Sequence, residues 1–134
     1  PLEVFIETKD PKYIWQDRFY LDADLTKFLY FGEYPELLHL YIPIELVDRW
    51  SQVEDQMQAV MEAYNLKIFS VSYSEAAGWT FYTANKLQIN LGSDLSFDVF
   101  QKLSLTLKYI FEKNLTPSII DLRYKDGAAL NYGK

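Results

Sequence analysis

Ile119-Ile120-Asp121-Leu122-Arg123-Tyr124-Lys125-Asp126-Gly127-Ala128-Ala129-Leu130-Asn131-Tyr132 is the stretch on which the fold of this 134-residue chain turns. Ile120, Leu122 and Tyr124 fall on one face, and Ile119, Asp121 and Arg123 on the other. That is the period-2 alternation of a half-buried strand. Asp126-Gly127 supplies turn chemistry, since glycine accepts positive φ without a Cβ clash. Ala128, Leu130 and Tyr132 then alternate with Ala129 and Asn131. The expectation is a closing hairpin at a sheet edge, joined by a tight turn at Asp126-Gly127. An edge strand offers unpaired N–H and C=O groups to an extended partner.

Upstream, the apolar period changes twice. Leu46, Val47, Trp50, Val53, Met57, Val60, Met61 and Tyr64 recur at steps of three and four, opposite Asp48, Arg49, Gln52, Glu54, Asp55, Gln58 and Glu62. This predicts an amphipathic helix of about five turns. Pro43 suits its first turn and Glu45 its positive end. Phe97, Phe100, Leu103, Leu107, Ile110 and Phe111 form the stripe of a second helix, with Ser93 or Ser96 as its cap. Strands are expected at residues 2–7, 13–15, 19–21, 68–73, 79–83 and 87–91. Residues 22–39 are read mostly as loop, because Gly32 and Pro35 break the pattern. A short strand or turn near Phe28 is left open. The whole reads as one α+β domain over residues 1–134: curved antiparallel sheet, two amphipathic helices on one side, and the closing hairpin at the edge.

Composition narrows the function. Hydrophobic residues make up 49% and charged residues 24%, as in an ordinary folded domain. Aromatics reach 17%, with 11 Tyr and 9 Phe, which favours strands and large buried side chains. The net charge of −6 opposes phosphate backbones, so nucleic acid is a poor partner. No Lys or Arg run points to a membrane surface. With no cysteine, disulfides and thiolate chemistry are excluded. No apolar run reaches the roughly 20 residues of a membrane helix. The chain opens on Pro1-Leu2-Glu3-Val4 and not on Met, so a piece of a longer protein is expected and missing targeting signals say little.

Catalytic patterns are missing. His39 is the only histidine and sits among Leu37, Leu38 and Leu40, where packing explains it better than general-base chemistry. There is no nucleophile elbow, phosphate loop or dinucleotide fingerprint. Asp22 and Asp24 lack the glycine and closing acid of a calcium loop. No catalytic residue, cofactor or metal is expected. A glycan-binding or glycan-processing domain is the alternative, and it predicts a deep pocket lined by Trp and paired carboxylates.

Several stretches together resemble the periplasmic β-domain of the bacterial FtsQ/DivIB cell-division family. They are Pro1-Leu2-Glu3-Val4-Phe5-Ile6-Glu7 with Pro11 and Trp15, Asp22-Ala23-Asp24, Tyr34-Pro35-Glu36-Leu37, Trp79, Leu87-Gln88-Ile89-Asn90-Leu91-Gly92, and Asp121-Leu122-Arg123-Tyr124 with Gly127-Ala128-Ala129. The resemblance implies a non-enzymatic divisome scaffold, part of a single-pass inner-membrane protein at the septum. The membrane helix and POTRA domain of such a protein are absent from this chain. It implies FtsB and FtsL as partners, with FtsB adding an extended segment to the last strand. The matching contact residues are Tyr124, Asp126, Gly127, Ala128, Ala129, Leu130, Asn131 and Tyr132. Two departures stand out. Ala76, Ala77 and Gly78 occupy positions that are often basic in the family, and Tyr132 replaces a more usual Trp.

Overall fold

The computed structural model describes residues 10–31 and 36–133. The strand expected at residues 2–7 and the Tyr34-Pro35 turn lie outside the described residues. Nine strands form one sheet: β1 (Tyr13–Trp15), β2 (Phe19–Leu21), β3 (Lys27–Leu29), β4 (Leu38–Tyr41), β5 (Ile68–Ser74), β6 (Gly78–Thr83), β7 (Gln88–Gly92), β8 (Ile119–Asp121) and β9 (Ala129–Asn131). Two helices of 16 residues, α1 (Val47–Glu62) and α2 (Phe97–Glu112), interrupt the strands. Across the sheet the order is β3-β2-β1-β4-β5-β6-β7-β8-β9. The α+β architecture and the hairpin at the sheet edge are as expected.

The sheet is mixed, not wholly antiparallel. β1 pairs with β4, β4 with β5, and β7 with β8 in parallel. For the last two the reason is connectivity, since each helix crosses from one strand to a parallel neighbour, whereas β1 reaches β4 by way of β2 and β3. β4-α1-β5 and β7-α2-β8 are thus two βαβ units, and both helices pack into a single core. Residues 22–39, expected to be mostly loop, supply β3 and the first half of β4. In β4, Leu38 and Leu40 point into the core while His39 and Tyr41 alternate outward.

The helices form where expected, and each has a chemical stop. A 3-10 turn at Ile44–Leu46 follows Pro43 and leads into α1. Val47, Trp50, Val53, Met57 and Met61 are its buried stripe. Burying side chains of this size contributes about 1.5–3 kcal/mol each. Trp50 meets Phe81 of β6 edge to face, with ring centroids 5.3 Å apart. Asn65 takes φ +57, and the Leu66 N–H returns to the Met61 carbonyl at 3.1 Å. α2 ends the same way. Asn114 takes φ +55 and the Leu115 N–H reaches the Ile110 carbonyl at 2.9 Å. Both endings are Schellman caps, with asparagine tolerating the left-handed residue. At the start of α2 the Ser96 hydroxyl accepts the Val99 N–H, so Ser96 and not Ser93 is the cap.

The buried stripe of α2 is narrower than the sequence pattern. Leu103, Leu107 and Ile110 are buried, whereas Phe97 and Phe111 at the two ends are exposed. Phe111 packs on Tyr64 instead, with centroids 5.0 Å apart.

Candidate functional site

Among the described residues the sheet has two edge strands, β3 and β9, and the closing hairpin carries the second. β9 pairs with β8 in the register Ile119↔Asn131, Ile120↔Leu130, Asp121↔Ala129. Among the described residues no strand pairs on the other side of β9. The Leu122 N–H donates to Asn90 of β7, so Ile119 and Asp121 turn their main-chain groups toward β9. Asn131 and Ala129 answer them. By the alternation of the ladder, the N–H and C=O of Leu130 point away from the sheet.

The link between β8 and β9 is a seven-residue loop, not a tight turn at Asp126-Gly127. Gly127 is not among the residues with positive φ, and a Cβ there would meet nothing within 4 Å. Pairing ends at Asp121 because two fixed groups capture the chain beyond it. Asp121 is buried, and its carboxylate accepts from Arg123 Nε at 2.8 Å, Nη2 at 2.7 Å and the Arg123 main-chain N–H at 3.1 Å. That pairing holds the Asp121 carboxyl below the usual carboxylate range, and it raises Arg123 in turn. Lys102 of α2 is the second anchor. Its ammonium donates to the carbonyls of Leu122 (3.2 Å), Tyr124 and Lys125 (3.4 Å).

A column of close contacts sets where this loop sits. Gly78 at the start of β6 has φ +75, and a Cβ there would lie 2.3 Å from the Gly92 carbonyl. Gly92 has φ +98, and a Cβ on it would come within 3.4 Å of Arg123 Cγ. Only glycine fits at Gly78. At the β6–β7 junction the register shifts, leaving Leu91 as an extra residue between Asn90 and Gly92. The turn of Ala76, Ala77 and Gly78 lines a cleft together with Tyr124 and Lys125, so the loop sits beside the positions that depart from the family pattern.

The predicted contact residues separate into two groups. Tyr124 and Asp126 are exposed on the loop; Tyr124 keeps 56% of its surface free. Gly127, Ala128, Ala129, Leu130, Asn131 and Tyr132 follow the open edge, with Tyr132 also 56% exposed. Leu130 packs partly on the core. Ser118 ties the far end, its N–H donating to the Asn131 carbonyl at 2.8 Å and its hydroxyl to the Gly133 carbonyl at 2.6 Å.

The sequence reading missed a groove of about 470 Å³ between α2 and β9, lined by Leu105 and Tyr109 on one side and Ala128 and Leu130 on the other. Leu105 and Tyr109 lie off the core stripe, four residues apart, and are 68% and 53% exposed. That second stripe was the available signal.

The glycan reading needs tryptophans that line an open pocket. Trp50 and Trp79 are buried in the core. The half-buried Trp15 donates its indole N–H to the Ile42 carbonyl at 2.8 Å and lies under Lys27. His39 stacks on Phe69 with centroids 4.7 Å apart, a packing role. Asp22 turns its carboxylate onto the N–H groups of Asp24 and Thr26, closing the local turn. Among the described residues no group of three acidic or histidine side chains could hold a metal, and no helix is long and apolar enough to cross a membrane.

No curated protein matches the chain. The profile described as "Cell division protein FtsQ/DivIB, C-terminal" matches residues 14–123, from β1 through Arg123. The open edge of β9 lies just past the matched span. The match covers most of the chain, and the chain therefore belongs to the FtsQ/DivIB family of cell-division proteins.

Proposed function

We propose that this domain is a non-enzymatic divisome module that captures an extended periplasmic segment of FtsB, within an FtsQ–FtsB–FtsL complex, by strand addition to β9. The carrying observation is the outward-facing N–H and C=O of Leu130 on a strand with no described neighbour on that side. Strand addition draws affinity from main-chain hydrogen bonds and specificity from alternate side chains. Ala128 and Ala129 are small enough for a partner backbone to approach. Tyr124 and Tyr132 supply exposed rings at the two ends of the edge. The setting is periplasmic, with this domain carried by a membrane-anchored protein at the septum.

The test is binding of the purified domain to the periplasmic segment of the FtsB-like protein from the same organism. Wild type retains the segment. Ala128→Lys and Tyr124→Glu, checked for folding by circular dichroism, lose it. Full retention by both folded variants would rule out this edge.

A further inference from the structure

We infer that the groove between α2 and β9 reads the sequence of the added strand, and that it takes two apolar side chains followed by a lysine or arginine. The inference rests on strand addition at β9 and goes beyond it by fixing the partner's chemistry. Leu130 lies opposite Ile120, which points into the core, so its side chain is on the helix-bearing face. Alternate residues of a strand laid beside β9 would point to that face as well. There they meet Leu105 and Tyr109, the exposed stripe of α2, across the groove.

The two ends of the groove differ. Near Tyr109 and Leu130 the walls are apolar. The other end carries the carboxylates of Asp98 and Asp126. Lys102 stands between them, but its ammonium is committed to three loop carbonyls. Among the described residues neither Asp98 nor Asp126 is in an ion pair. The three loop carbonyls are neutral, so the Lys102 charge offsets one of the two acids and this end keeps a net negative charge, which favours an entering cation over an anion.

The order of contacts follows from topology for a strand that adds antiparallel to β9, the commoner pairing. α2 crosses between the parallel strands β7 and β8, so it runs antiparallel to β8 and parallel to β9. A strand added antiparallel to β9 therefore passes Tyr109 first, then Leu105, then Asp98 and Asp126. The eleven helical steps from Asp98 to Tyr109 span about 16 Å. Residues i and i+4 of a strand span about 13 Å, and side chains cover the difference. The pattern, N- to C-terminal, is apolar-x-apolar-x-basic.

The probe is a synthetic peptide with alternating Leu and Thr that ends in Lys at the fifth position of the pattern. Two companions carry Glu in place of Lys, or the reversed order. Each is titrated into the ¹⁵N-labelled domain and followed by amide shifts. The Lys peptide should perturb α2 and β9 and bind about five-fold tighter than the Glu peptide, the scale of a partly exposed charge contact. The double variant Asp98→Lys with Asp126→Lys should invert that preference. Leu105→Glu should weaken the Lys peptide at least ten-fold. An equal Lys-over-Glu ratio in wild type and double variant overturns the inference. The FtsB segment separates the two claims. If Ala128→Lys abolishes its binding while Leu105→Glu and the double variant leave it intact, strand addition stands and the groove reading fails. If wild type binds neither the peptides nor the segment, both fail.

Discussion

Replacing Lys102 with Met should loosen the candidate site without unfolding the domain. The ammonium holds three loop carbonyls, those of Leu122, Tyr124 and Lys125. A charge-assisted hydrogen bond contributes about 1.5–3 kcal/mol. The three share one ammonium, the Lys125 contact is long at 3.4 Å, and two of the acceptors are exposed enough for water to replace the lysine. The net loss should therefore be about 2 kcal/mol, close to one good bond. Methionine keeps the apolar stem and the helix propensity, so packing changes little. A domain stable by about 5–15 kcal/mol stays folded. Thermal unfolding should fall by about 7 °C. Hydrogen exchange locates the loss: the amides of Leu122 and Arg123 should exchange more than ten-fold faster, while those of β5 and β6 hold. The proposed capture of an FtsB segment should weaken as Tyr124 and Asp126 lose their fixed positions. A midpoint within about 1 °C of wild type, with unchanged exchange at Leu122 and Arg123, would refute the staple. A lower midpoint with unchanged loop exchange would show that Lys102 acts within the helix.

Three further outcomes follow from contacts described above. Gly78→Ala sets a methyl against the Gly92 carbonyl at a positive φ, and should cost more than about 3 kcal/mol or abolish folding, as urea titration would show. Asn114→Ala puts an ordinary residue at the left-handed end of α2 and should cost about 1 kcal/mol by the same titration, with Asn65→Ala matching it at α1. Asp121 has a depressed carboxyl, so its contribution is full above the ordinary carboxylate range and fades as pH falls through the folded-state value. Arg123→Met should lower stability at neutral pH and flatten the acid limb of stability against pH, and an acid limb as steep as wild type would sink the assignment.

Helix placement was legible because each helix carries a long apolar stripe and a chemical stop. Trp50, Met57 and Met61, like Leu103 and Leu107, sit where their spacing put them. The sheet was harder. Leu38-His39-Leu40-Tyr41 alternates as a strand should, but it is four residues long and follows the Gly32 and Pro35 breakers. The parallel pairings connect residues across a whole helix or, for β1 and β4, across β2 and β3, and a local pattern holds no record of that. At the site, the two strands were readable from alternation. The turn was not: Asp126-Gly127 is good turn chemistry, yet Lys102 and the Asp121–Arg123 pair capture the chain before a tight hairpin can close. The groove needed the register of β9 against α2, which only the folded chain supplies.

The parallel pairing of β8 on β7 has a consequence for biosynthesis. β7 cannot gain β8 as a neighbour until all of α2 has been made and has folded back across the sheet. The open edge of β9 in turn depends on β8. A ribosome-stalled or clipped chain ending before residue 119 would have both helices and most of the core, but its sheet would end at β7 and lack the β9 edge. A protein that docked on β9 would thereby discriminate finished domains from unfinished ones, and the proposed strand addition would double as proofreading of the fold.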